Sequence, residues 1–144
     1  MEERERIIQE RLAVLQQLQS EAEVVQRRII ELELLVNEFE RTIEALEYFN
    51  SIEGTPEALM NIGGGVFAYV DIKNSKKFLV DVGAGVYIEK DVKDAIESVK
   101  RKKERVEENV QKLTNLLQQI VSQAARIQEE LAKLAKEVKE EKKE

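Results

Sequence analysis

Leu15, Leu18, Ala22, Val25, Ile29, Leu32, Val36, Phe39, Ile43 and Leu46 recur at spacings of three and four residues. Glutamate, glutamine and arginine crowd the positions between them. A 3.5-residue repeat keeps one apolar stripe against a partner helix, so the pattern predicts a coiled-coil seam. Nothing breaks the helix between about Glu3 and Phe49. At ~1.5 Å per residue it would run roughly 70 Å. A second ladder follows: Ile96, Val99, Lys103, Val106, Val110, Leu113, Leu117, Ile120, Ala124, Ile127, Leu131, Leu134 and Val138, with Lys103 the one intruder. Asp91 or Asp94 suits the start of this helix, because a carboxylate stabilises the positive end of the helix dipole. The closing run "KEVKEEKKE" is expected to fray.

Between the ladders the period changes. Asn50 to Pro56 has the composition of a loop. Short runs rich in Val, Ile, Phe and Tyr follow, punctuated by Gly63-Gly64-Gly65, Asn74-Ser75 and Gly83-Ala84-Gly85. They predict four strands in two hairpins, at about 58–63, 65–72, 77–83 and 85–90. Alternation puts Val66, Ala68, Val70, Ile72, Phe78, Val80, Val82, Val86 and Ile88 on one face of a small sheet. The other face carries Phe67, Tyr69, Asp71, Leu79, Asp81, Tyr87 and Glu89. A sheet this small with apolar groups on both faces requires partners. The chain divides into an N-terminal coiled-coil helix (1–49), a β-hairpin assembly region (50–90) and a C-terminal coiled-coil helix (91–144). The class is α+β.

The glycines admit a second reading, since Gly63 and Gly65 with Ala68 complete a G-x-G-x-x-A spacing. A dinucleotide fingerprint follows a strand and opens a helix, whose N-terminus receives the pyrophosphate. Here "VFAYVDI" and "VYIEK" follow the glycines, and both are strand-like. Gly63, Gly64, Gly65, Gly83 and Gly85 are therefore read as turn residues, which reach φ > 0 without a Cβ clash.

Composition narrows the function. The net charge of −6 argues against nucleic acid, because neutralising phosphates needs a surplus of lysine and arginine. No apolar run approaches the ~20 residues that span a bilayer. The N-terminal "MEERERIIQER" lacks the apolar centre of a signal peptide. Cysteine and histidine are absent, which removes thiolate chemistry and the commonest base and metal ligand. A cytoplasmic, non-catalytic protein with no metal and no cofactor is expected.

An insert that returns the chain makes the two helices antiparallel. With Leu46 facing Ile96, Ile43 meets Val99, Val36 meets Val106, Ile29 meets Leu113, and Ala22 meets Ile120; a register one heptad away is the alternative. Lys103 then lies over Phe39 with its ammonium turned toward a neighbouring glutamate. At the far ends the match degrades, for Leu131 faces Arg11 and Val138 faces Arg4. Ile7, Leu12 and Val14 flank the seam. The helix ends are either frayed or adhesive.

The layout resembles prefoldin, a molecular chaperone family, and its archaeal alpha class in particular. The residues that carry the resemblance are Val80 to Lys90, "VDVGAGVYIEK", and Ile62 to Phe67 before them, set between matched heptad helices. Beta-class subunits have one hairpin, so two hairpins point to the alpha class. The resemblance implies a hexamer of two alpha and four beta subunits, whose hairpins join in an oligomeric β-barrel. It further implies helix tips that hold non-native client proteins without ATP and deliver them to a group II chaperonin. Candidate client-binding residues are Ile7, Ile8, Leu12, Val14, Leu131, Leu134 and Val138. Candidate subunit-interface residues are Val66, Phe67, Tyr69, Val70, Phe78, Val80, Val82, Val86, Tyr87 and Ile88. A structural scaffold or filament subunit without client binding is the alternative. ATP, GTP and NAD are expected to leave the melting temperature unchanged. A saturable shift in a thermal melt would restore the fingerprint reading.

Overall fold

The computed structural model describes residues 2–143. The elements run α1 (Glu2–Ser51), β1 (Glu57–Gly63), β2 (Val66–Asp71), β3 (Lys77–Gly83), β4 (Val86–Asp91) and α2 (Val92–Lys143). The class is α+β, two long helices around two hairpins, as the periodicities predict. β1 pairs with β2 and β3 with β4, both antiparallel, in two separate two-stranded sheets. The expected single small sheet is thus split, and among the described residues no barrel closes within the chain.

The chain forms two compact units. One takes α1 as far as Glu33 together with α2 from Glu108 onward. Leu18, Ile120 and Ile127 are its buried residues, with Leu15, Ala22, Val25, Ala124 and Leu131 packed against them. Arg11 Nε lies 3.3 Å from a Glu130 carboxylate oxygen. Arg4 Nε lies 3.9 Å from Glu137, and its guanidinium also pairs with Glu141. Moving back along α1 moves the partner forward along α2, so the helices are antiparallel. Arg11 reaches the neighbour of Leu131 and Arg4 the neighbour of Val138, in keeping with the expected register.

The second unit is Leu34–Glu107. Ile43, Leu46, Val92, Ala95, Ile96 and Val99 cluster with Val80 of β3, and Phe39 and Phe78 pack against them. Lys103 behaves as expected, its ammonium 3.3 Å from Glu40 and 3.8 Å from Glu107. Burying each aliphatic side chain contributes about 1.5–3 kcal/mol. The core is nevertheless thin: Ala95, at 1 % exposure, is its most deeply covered member. It is a seam capped by one hairpin.

Two boundaries differ from expectation, and the start of α2 at an Asp91 cap agrees with it. α1 continues through Asn50 and Ser51, which the composition assigned to a loop. Lys76 supplies the reason: its ammonium donates to the carbonyls of Phe49, Asn50 and Ile52 at 3.0, 2.7 and 2.8 Å. The last carbonyls of a helix lack intrahelical donors, and a cation there also meets the negative end of the dipole. Asn74 Oδ1 accepts from the Lys76 amide at 2.9 Å and holds the turn that presents it. α2 begins at Val92, and Asp91 is its cap, accepting from the Asp94 amide at 2.8 Å. The tail stays helical through Lys143 rather than fraying; Lys142 and Lys143 complement the dipole there, and Glu137 and Glu141 pair with Arg4.

Replacing Lys76 by methionine keeps the stem and removes the three donors. Stability should fall by about 2 kcal/mol in urea unfolding, the scale of losing charge-assisted hydrogen bonds. Amide exchange should quicken over Tyr48–Ser51. Wild-type values in both would show that α1 ends there without help from Lys76.

Candidate functional site

Alternation along each strand separates the hairpin faces, and cross-strand partners share a face. In the first hairpin Ala58 stands opposite Val70 and Met60 opposite Ala68, while Leu59 stands opposite Tyr69 and Asn61 opposite Phe67. In the second, Phe78 opposes Lys90 and Val80 opposes Ile88, while Leu79 opposes Glu89 and Asp81 opposes Tyr87. The Val80 face turns toward the helices, where the Phe78 and Phe49 ring centroids lie 5.5 Å apart. The other face is left to water: Tyr69 is 80 % exposed, Leu79 70 % and Tyr87 61 %.

This alters the expected interface. Val80 is buried in its own chain, Phe78 packs against the same cluster, and Val70 is half-buried. Alternation alone placed them correctly on one face, but only packing shows that this face serves the chain's own core. Val66, Phe67, Tyr69, Val82, Val86, Tyr87 and Ile88 are exposed. Leu59, Met60, Ile62 and Leu79 join them, though they were absent from the expected interface. Reading Leu59 as the cross-strand partner of Tyr69 would have found the first of these.

Each strand has one neighbour, so each keeps an unpaired edge. The turns share one construction. Ile62 is an extra residue between the pairs Asn61–Phe67 and Gly63–Val66, as Val82 is between Asp81–Tyr87 and Gly83–Val86. Asn61 Oδ1 accepts from the Gly63 amide, and Asp81 Oδ1 from the Gly83 amide, both at 2.9 Å. Gly63 and Gly83 have φ of 102° and 114°, values that favour glycine because a Cβ would strain the backbone. Gly64, Gly65 and Gly85 lie in the same two turns, and Ala84 takes a left-handed φ of 52° beside them. Both turns lead into strands, where no helix N-terminus receives a phosphate. The closing bonds match too, from the Ile72 amide to the Pro56 carbonyl and from the Val92 amide to the Lys76 carbonyl, each at 2.8 Å. The hairpins are an internal repeat. "GGGVF" and "GAGVY" carried that signal in the sequence. The second turn is further tied to α2 by Lys102, whose ammonium donates to the Asp81 carbonyl at 2.7 Å.

The expected client-binding residues divide differently. Leu12 and Val14 are exposed, at 44 % and 41 %. Ile7, Ile8, Leu134 and Val138 are half-buried, and Leu131 packs on the Leu18–Ile127 cluster. The expectation that Leu131 is poorly covered by its own hairpin is therefore corrected: packing on a neighbouring layer covers it despite Arg11 opposite. Val24, Ile30 and Val121 are more exposed than any of these seven.

A model of the prefoldin family, described as prefoldin subunit, matches residues 18–137. The chain belongs to the prefoldin family. Prefoldin is a chaperone family. Prefoldin subunit alpha of Archaeoglobus fulgidus is 58 % identical over 128 residues, covering 89 % of this chain and 93 % of the relative. Prefoldin subunit alpha of Thermofilum pendens is 32 % identical over 125 residues, covering 87 % and 94 %. Both relatives agree with the alpha-class resemblance. The cryo-EM structure of filamentous PFD from Methanocaldococcus jannaschii superposes with a TM-score of 0.69, covering 82 % of this chain and 95 % of that one. Its identity is 14 %, so that likeness is one of fold. Among the described residues no helix is long and apolar enough to cross a membrane.

Both hairpins therefore leave an apolar face and unpaired strand edges exposed. If these surfaces join chains, Val82→Glu with Val86→Glu should dissociate the assembly and leave helical circular dichroism intact. Light scattering after size exclusion checks this, and an unchanged mass would remove these residues from the interface.

Proposed function

We propose that the chain is the alpha subunit of a cytoplasmic, ATP-independent holdase that assembles with prefoldin beta subunits, two alpha with four beta. Its hairpins join the oligomeric β-barrel, and its helix ends hold non-native proteins for transfer to a group II chaperonin. The observation that carries this reading is the 58 % identity to a prefoldin subunit alpha across 89 % of the chain. The hairpins support it physically, since apolar side chains such as Tyr69 and Leu79 lie in water beside unpaired strand edges. Leu12 and Val14 supply exposed aliphatic surface near the helix ends. Each contributes roughly 1–2 kcal/mol when covered, at ~25 cal/mol per Å². Several chains holding one client add through effective concentration. Such binding is broad and reverses without nucleotide hydrolysis.

Open edges on both hairpins favour a second reading, a filament-forming subunit without client binding, since edges also permit continued growth. The M. jannaschii structure is of a filamentous PFD. Two measurements separate the readings. Mixed with a beta subunit, the holdase gives one finite mass in native mass spectrometry and suppresses aggregation of a heat-denatured test protein without ATP. Leu12→Glu with Val14→Glu should weaken client affinity, and with it the suppression, by about thirtyfold or more, as losing two ~1–2 kcal/mol contacts requires, at unchanged mass. Mass that grows with concentration, together with no suppression, would establish the scaffold instead.

A further inference from the structure

The two hairpins share one register. Glu57 pairs with Asp71 as Lys77 pairs with Asp91, and the pairs match step by step to Gly63–Val66 and Gly83–Val86. Their surroundings do not match. In the second hairpin Val80 is buried in the helix cluster and Phe78 packs on it. Lys102 of α2 reaches the Asp81 carbonyl, and Val92, whose amide closes this hairpin, is the first residue of α2. The first hairpin carries Ala58 at the position of Phe78, Met60 at that of Val80 and Ala68 at that of Ile88. Among the described residues none of its side chains joins an apolar cluster, and its strands are exposed except for the half-buried Ala58, Ala68 and Val70. Its ends meet in one hydrogen bond, from the Ile72 amide to the Pro56 carbonyl at 2.8 Å. The ribbon can therefore open without moving the chain on either side of it.

We infer that the first hairpin is a strap that opens and closes by itself in the free chain and becomes ordered only when a strand of a beta subunit pairs with it. The second hairpin, held ready by its own helices, docks first. The inference rests on the proposed assembly with beta subunits and adds an order of events to it. A two-stranded ribbon in water is marginal, because its hydrogen bonds barely offset the backbone entropy lost in forming it. Burial against a third element tips that balance. Val80 and Phe78 supply it for the second hairpin, whereas alanine at the matching positions 58 and 68 leaves the first with little to bury. Segments without buried contacts are the first to open in a native protein. A site that is closed in only a fraction of the chains binds more weakly by that fraction. The strap therefore sets how readily free chains join, apart from the contacts they make once joined.

Hydrogen exchange on the full-length chain reads the free state, at a concentration where light scattering gives the mass of a single chain. Amides of Leu59–Asn61 and Phe67–Tyr69 should exchange within about tenfold of the unfolded rate, and those of Leu79–Asp81 and Tyr87–Glu89 at least about a hundredfold more slowly. Both sets should be protected after mixing with a beta subunit. Glu57→Cys with Asp71→Cys puts a single disulfide into a chain without cysteine, at the base of the strap and between exposed cross-strand partners. Oxidised, this variant should bind the beta subunit about tenfold more tightly than the same protein reduced, as closing a strap that is open about nine-tenths of the time requires. Equal exchange of the two hairpins in the free chain, or equal binding by the oxidised and reduced forms, would overturn the inference and leave the assembly reading in place. Failure of the unmodified chain to join a beta subunit would overturn both.

Discussion

Leucine, isoleucine and valine side chains spaced three and four residues apart on α1 leave water only by meeting a matching stripe on α2. With the direction set by the insert that turns the chain back, that requirement sets the register and the charges outside the seam. Arg11 finds Glu130 and Lys103 finds Glu40 because the apolar layers have already brought those positions together. Exposed ion pairs of this kind contribute at most about 1 kcal/mol each. They report the register more than they hold it. Where a layer ends in a lysine, as at Lys103, the stem stays in the stripe and the ammonium reaches a glutamate outside it.

A seam of this kind buries one stripe per helix and cannot seal large side chains, so the hairpins inherit the problem of a thin core. The second hairpin solves it for its own chain by laying Val80 and Phe78 over Ile43, Leu46, Ile96 and Val99. Its outer face and its edges stay in water. The first hairpin repeats the same bulge, the same Asx–glycine turn and the same closing hydrogen bond. A two-stranded ribbon is marginal by itself. A strand that pairs with such an edge adds hydrogen bonds and covers apolar surface at once, so marginal stability and a capacity to pair are one physical property of these ribbons.

Lys76 joins the two halves of that logic. One turn residue donates to three carbonyls at the end of α1, while its own backbone carbonyl accepts from Val92 at the start of α2. Helix end and hairpin closure are thereby set by a single position. The adjacent Ser75 is buried at 4 % exposure, so the turn is packed rather than loose.

Much of this was legible in the residues. The 3.5-residue period of Leu15 to Leu46 and of Ile96 to Val138 dictates two long helices wherever they are placed, because the period is a property of the chain alone. The glycines around Val66 and Val86 dictate hairpins for the same local reason: positive φ is cheap only there. The register was narrowed to a few choices a heptad apart, since two periodic stripes match in few ways, and the contacts of Arg11 and Lys103 select among them. What lay beyond the sequence was which face of each strand its own helices would cover. Alternation puts Val80 and Val82 on one face, apart from Asp81, yet Val80 is buried under the helices while Val82, at the bulge beside the turn, is exposed. The reach of the Lys76 ammonium to carbonyls 24 to 27 residues earlier was equally invisible. Periodicity is local and can be read from order alone, whereas burial depends on what the rest of the chain brings alongside.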